Sequence, residues 1–167
     1  MTIEIDVSGS DIFCKDYCIC VVDNEGIVKG YKFKEEDVEK LKEGFANKKY
    51  TRLDRKTTLS KFKVKIYLIV LKHLLKELFK EYKEEELSIL FCRDFPGHEN
   101  TISCSITHQI LNVHKRKLSN IKCGKLSSTS DAHRYAYMMN KDRHNYLSCY
   151  CAFSLRDIEE QLIFKKK

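Results

Sequence analysis

At 167 residues, with 43% hydrophobic and 33% charged side chains, the chain holds enough material for one domain with a buried core. One proline and six glycines exclude long flexible linkers, and no apolar run reaches the ~18 residues of a transmembrane helix. The formal charge of +7 points toward a polyanionic partner and away from a membrane-embedded one.

The pattern begins with a strand. In Thr2–Ser10, Ile3, Ile5 and Val7 alternate with Glu4, Asp6 and Ser8, the period of a half-buried strand. The first residues enter this acidic strand directly, with no basic stretch leading into an apolar one, so a cytoplasmic location is expected. Tyr17–Val22 is apolar throughout and reads as a buried strand. Asp23-Asn24-Glu25-Gly26 is a turn, and Ile27–Phe33 a third strand, giving an antiparallel meander.

Residues 35–46 place Val38, Leu41 and Phe45 at helical spacing. The strongest helical pattern covers residues 57–83, where Leu59, Phe62, Ile66, Ile69, Leu74 and Leu78 form one stripe, and Thr57 or Thr58 can cap its start. At ~1.5 Å per residue such a helix spans roughly 40 Å, enough to cross a sheet. Glu84-Glu85-Glu86 ends it. Leu87–Cys92 is a buried strand that runs into Arg93-Asp94-Phe95-Pro96-Gly97, a turn. Residues 100–111 read as a helix, 113–126 as a basic strand with an irregular start, and 131–140 as a helix whose Ala132, Ala136 and Met139 can pack closely on a sheet. Tyr146–Phe153 reads as a further strand, and Ser154 opens a last helix. Lys165–Lys167 reads as a frayed basic end. Strands followed by strand–helix alternation imply an α/β domain with a central mixed sheet flanked by helices, in which residues 141–167 are a C-terminal strand and helix added to the core.

Eight cysteines lack the spacing of a zinc site, and buried free thiols are the expected state. A thiolate metal site built on Cys14, Cys18 and Cys20 is the third reading. Positive charge is concentrated in Lys48, Lys49, Arg52, Arg55, Lys56, Lys61, Lys63 and Lys65, against Asp54 alone. That run is the candidate nucleic-acid-binding segment, or else a solvated face.

Three aspartates stand where the chain changes direction: Asp6, Asp94 and Asp131. If the long helix is a right-handed crossover, the first and fourth strands are neighbours, and Asp6 and Asp94 share one sheet edge. Converging carboxylates there can hold Mg²⁺ or Mn²⁺. Simpler roles stand beside this one: Asp94 can open the turn before Pro96-Gly97, and Asp131 can complement a helix dipole or pair with Ser128 in a capping box. His98 and Glu99 lie close to Asp94, as base, ligand or surface pair.

Ile3–Ser10, Ile89–Asp94 and Asp131–Ala136 together resemble the ribonuclease H-like superfamily of metal-dependent nucleases, including its resolvase and terminase nucleases and its small archaeal members. The resemblance covers about residues 2–140 and implies a single ribonuclease H-like domain over 1–167. It also implies Asp6, Asp94 and Asp131 as catalytic and metal-binding residues, Mg²⁺ or Mn²⁺ as cofactor, and DNA or RNA as partner. The family pattern places an Asp in the first strand, an acid in the first core helix, an Asp at the end of strand four, and an Asp, Glu or His on the last core helix. Here the chain departs, because no Asp or Glu occurs between Arg55 and Lys76. Glu4 shares the face of Asp6 and is the nearest substitute. The departure leaves two expectations open: a metal-dependent nuclease with a rearranged site, or a non-catalytic nucleic-acid-binding relative.

Overall fold

The computed structural model describes residues 1–80 and 86–163. The predicted helix end at 81–83, most of the acidic boundary at 84–86 and the basic end Lys165–Lys167 fall outside those residues. Five strands form one mixed sheet: β1 (Thr2–Ser8), β2 (Cys18–Asp23), β3 (Val28–Lys32), β4 (Glu86–Cys92) and β5 (Lys117–Gly124). Their spatial order is β3-β2-β1-β4-β5. β1, β2 and β3 form the expected antiparallel meander, while β4 runs parallel to both β1 and β5. The chain is therefore α/β, and the first and fourth strands are neighbours.

Helices cover both faces, which explains the patterning of the strands. Ile3 and Ile5 of β1 and Ile19 and Val21 of β2 enter the main core with α2 (Leu59–Leu78). Cys18, Cys20 and Val22 of β2 pack on the other face with Ala132, Ala136 and Met139 of α4 (Asp131–Lys141). β2 is buried at every position because it is covered twice, so it reads as an uninterrupted apolar run. β1 is covered on its second face only partly, so Glu4 and Asp6 alternate with its isoleucines and point toward α4. All eight cysteines are free, and burial raises the thiols of Cys18 and Cys20 above their ordinary range.

α2 starts where Thr58 accepts a hydrogen bond from the Lys61 amide, and ends at Leu78, shorter than the predicted 57–83. α1 (Glu35–Ala46) matches its predicted range. α3 (Glu99–His108) continues into a π-helical turn over Gln109–Val113, so the strand expected from 113 begins only at Lys117. Tyr146–Phe153 corrects a second expectation. Among the described residues it forms no strand, only a single parallel bridge of Tyr150 to Gly30, with the Gly30 amide donating to Cys149 O at 2.8 Å and the Cys151 amide to Gly30 O at 2.9 Å. Asp142 accepts from the Leu147 amide and the Tyr150 hydroxyl, which ties the segment to the end of α4 instead. α5 (Leu155–Leu162) carries the full Ser154–Asp157 capping box.

Gly44 in α1 sets a close approach. A Cβ at this position would lie 2.5 Å from Cζ and 2.8 Å from Cε2 of the buried Tyr50 ring, and closer still to its hydroxyl. Gly44→Ala would gain about 0.5–1 kcal/mol of helix propensity. Overpacking a rigid ring costs about 1–3 kcal/mol. The clash outweighs the propensity, so urea unfolding of Gly44→Ala should show a net loss of stability, where an exposed helical glycine would show a gain.

Candidate active site

The two parallel strands β1 and β4 end side by side. Ile5 is level with Phe91, so Asp6 lies one step further along, beside Cys92, and Asp94 follows two residues later. Both acids therefore stand at the carboxyl ends of adjacent parallel strands, the usual location of ligand crevices in open α/β sheets. They line one cleft of about 380 Å³ with Cys92, Arg93, Lys125 and His133.

Asp6 is only 5% exposed. Its Oδ2 lies 2.8 Å from Nδ1 of His133, a ring whose side chain is 51% exposed at the mouth of the cleft. An ionised Asp6 fixes the ring tautomer with the proton on Nδ1. Burial raises the Cys92 thiol well above its usual range, and its hydrogen bond to Asp6 adds to the shift, so Cys92 stays a neutral donor. Asp94 accepts a short hydrogen bond from the Tyr17 hydroxyl. Tyr17 is fully buried, and desolvation keeps it protonated. Crowding by surrounding protein raises the Asp94 carboxyl above its ordinary value; the Tyr17 bond opposes this, while Asp6 and Asp11 reinforce it.

Asp131 does not line this cleft. Its side chain is 59% exposed, 3.6 Å from Nη1 of Arg134, and borders a separate depression with Glu4, Asp23 and Ser130. The cap of α4 explains the division. Ser130 accepts from the His133 amide and donates to Oε2 of Glu4 at 2.6 Å, pinning the first turn of α4 across β1. With Ala132 buried between them, Asp131 and His133 fall on opposite flanks of the helix, and only His133 reaches Asp6. Glu4, the substitute acid considered from sequence, is thus engaged by Ser130. His133 lay in plain view, two residues beyond Asp131. The signal that finds it is the buried Ala132-Ala136-Met139 face, which puts position 133 on one flank of the helix.

The first turn of α2 carries no acid. Lys63, in the next turn, pairs with Asp11 from the loop after β1, and Ser60 Oγ lies 2.8 Å from Nε2 of His98. These residues line a second hollow of about 370 Å³ that shares Asp94 with the first. Glu99 lies 3.5 Å from Arg93. Among the described residues, no group of three or more acidic, histidine or cysteine side chains is gathered closely enough to hold a metal ion unaided.

Part of the basic 48–65 run is paired within the fold. Lys49 pairs with Glu159 at 2.7 Å, Arg52 bonds the carbonyl of Gln161, Lys65 bonds the carbonyl of Arg52, and Lys63 is taken by Asp11. Lys48, Lys49, Arg52, Arg55, Lys56 and Lys61 are all exposed. Among the described residues no helix is long and apolar enough to cross a membrane.

In comparisons with known proteins, the chain matches no family model, no curated protein and no solved structure.

Proposed function

We propose that the chain is a ribonuclease H-like domain that hydrolyses phosphodiester bonds of DNA or RNA with the help of Mg²⁺ or Mn²⁺. The observation that carries this reading is the cleft in which Asp6 and Asp94, at the ends of adjacent parallel strands, meet His133 of α4. The resemblance asks for acids on strands one and four and accepts a histidine on the last core helix, so His133 supports it where Asp131 was expected to.

The carboxylates of Asp6 and Asp94 would hold the cation. Mg²⁺ is ordinarily bound by one or two carboxylates, with waters and substrate phosphate oxygens completing its shell, so two acids suit it. When bound, such an ion supplies a water of lowered pKa and charge stabilisation at the phosphoryl oxygens. The remaining work falls to the chain. Tyr17 and Cys92 hold the two carboxylates from behind as neutral donors. His133 orients Asp6 and offers an exposed imidazole at the cleft mouth to carry a proton to or from the reacting group. Lys125, on the cleft wall, is placed to meet a phosphate.

The test is a panel of single-stranded, duplex and hybrid substrates incubated with Mn²⁺. Metal-dependent cleavage of at least one is the expected result, and none across the panel overturns the enzyme reading. The second reading, a non-catalytic nucleic-acid-binding module, is favoured by one observation: the first turn of α2, where the resemblance asks for an acid, carries none. It predicts salt-sensitive binding without cleavage, unaffected by Asp6→Asn.

A further inference from the structure

The outward face of α4 carries a feature that the basic run does not include and that meets the carboxylate cleft only at His133. Among the described residues, six large apolar side chains are more than 40% exposed, and three of them, Tyr137, Met138 and Tyr146, lie on α4 or in the loop just beyond it. A single exposed tyrosine calls for no explanation. Here the exposed rings alternate with cations. His133, Tyr137 and Lys141 follow one another at i, i+4 and i+8, so they share one stripe. Lys141 Nζ stands 5.6 Å from the Tyr137 ring centroid. Arg134 is exposed beside this stripe. At the far end His144 stacks on Tyr146 with centroids 5.3 Å apart, and Tyr146 is 84% exposed. The stripe starts at the imidazole that bonds Asp6 and runs along the helix away from the cleft. The acids nearby are already engaged: Asp131 by Arg134, and Asp142 by the Leu147 amide and the Tyr150 hydroxyl.

Exposed aromatic faces between cations suit a partner that is polyanionic and carries flat π surfaces at the same time. A duplex buries its base faces in its own stack, so it offers such rings only its backbone. We infer that the α4 face, from His133 through Tyr137 to Tyr146, is a stacking platform for single-stranded nucleic acid that leads the strand into the Asp6–Asp94 cleft. The inference rests on the nucleic-acid reading above and narrows its substrate to a single strand. Bases stack on Tyr137 and Tyr146, while Lys141 meets the phosphates. Because stacking is open to every base, the platform selects for strandedness and not for sequence.

The experiment separates binding from cleavage. Fluorescence anisotropy with short labelled oligo(dT) and oligo(U), and with a duplex of equal length, is measured in EDTA, where no metal-dependent step operates. The native chain should bind the single strands more tightly than the duplex. Tyr137→Ala combined with Tyr146→Ala should weaken single-strand binding by at least about tenfold, the scale of losing one or two base stacks. Tyr137→Phe combined with Tyr146→Phe, which keeps the rings, should leave it unchanged. Both positions are exposed, so neither pair of substitutions threatens the core. Undiminished binding by the double alanine variant, or tighter binding of the duplex, overturns the platform and leaves the cleavage reading standing. No binding of any oligonucleotide overturns it too. Failure of cleavage with ring-dependent binding intact strikes the enzyme reading alone.

Discussion

Asp6→Asn should abolish Mn²⁺-dependent cleavage, lowering the rate by at least about 10³-fold while leaving the fold in place. A metal at a phosphoryl centre supplies several kcal/mol of transition-state stabilisation, and about 4 kcal/mol corresponds to three orders of magnitude in rate. Asparagine has the shape of aspartate, and its carbonyl oxygen can still accept from Nδ1 of His133. The substitution therefore removes the charge and little else from a site that is 5% exposed. Thermal unfolding should be nearly unchanged, and Mn²⁺ should lose whatever stabilisation it gives the native chain. His133→Ala makes the informative comparison. That ring touches Asp6 but is half exposed, so its removal should cost about 10- to 100-fold, the range seen when the partner orienting a metal ligand is lost. If Asp6→Asn cleaves as fast as the native chain, the carboxylate cleft is not the catalytic centre, and any activity belongs elsewhere.

How legible this arrangement is in the sequence depends on the kind of information each residue carries. The alternation of Ile3, Ile5 and Val7 fixes which side of β1 faces the core, so it also fixes that Glu4 and Asp6 share the other side. The unbroken run of β2 signals cover on both faces, and α2 and α4 supply it. The long helix between β3 and β4 makes β1 and β4 parallel neighbours, and that alone brings Asp94 next to Asp6. These are properties of period and connection. The assignment of Asp131 over His133 needed something else, the direction in which α4 crosses β1. Ser130 sets that crossing by bonding Glu4, a contact 126 residues apart in sequence that no local pattern encodes. The pairing within the basic run at 48–65 has a related origin. Charge density along a chain does not say which side chains the tertiary fold will neutralise, and Glu159 and Asp11 come from distant segments. The aromatic stripe of α4 was hidden by its own helix, because the buried alanines gave a sufficient account of the segment and its outward residues read as ordinary surface.

Phe62→Ala should be the most damaging truncation in the core, with a loss of about 3–5 kcal/mol measured by urea unfolding. Phe62 is fully buried near the start of α2, with Phe45, Tyr50 and Phe13 around it at ring-centroid distances of 4.5, 5.4 and 5.7 Å. These partners come from α1, from the loop after α1 and from the loop after β1, so one side chain joins three segments to the long helix. Neighbours can offset such a loss only by moving into the space. Tyr50 cannot follow freely, because its hydroxyl donates to Glu159 Oε1 at 3.1 Å and Glu159 is itself held by Lys49. The cavity should therefore persist, which puts the cost in the upper part of the range and makes it a large share of the ~5–15 kcal/mol of a typical domain. A loss below about 1 kcal/mol would mean that the cluster repacks and that Tyr50 is not anchored as described. The effect should also reach the cleft. Phe13 is two residues from Asp11, whose carboxylate pairs with Lys63 of α2 and bears on Asp94. Loosening Phe13 frees that pair, so a residue with no atom in the cleft should alter the charge around Asp94 before the fold itself is lost.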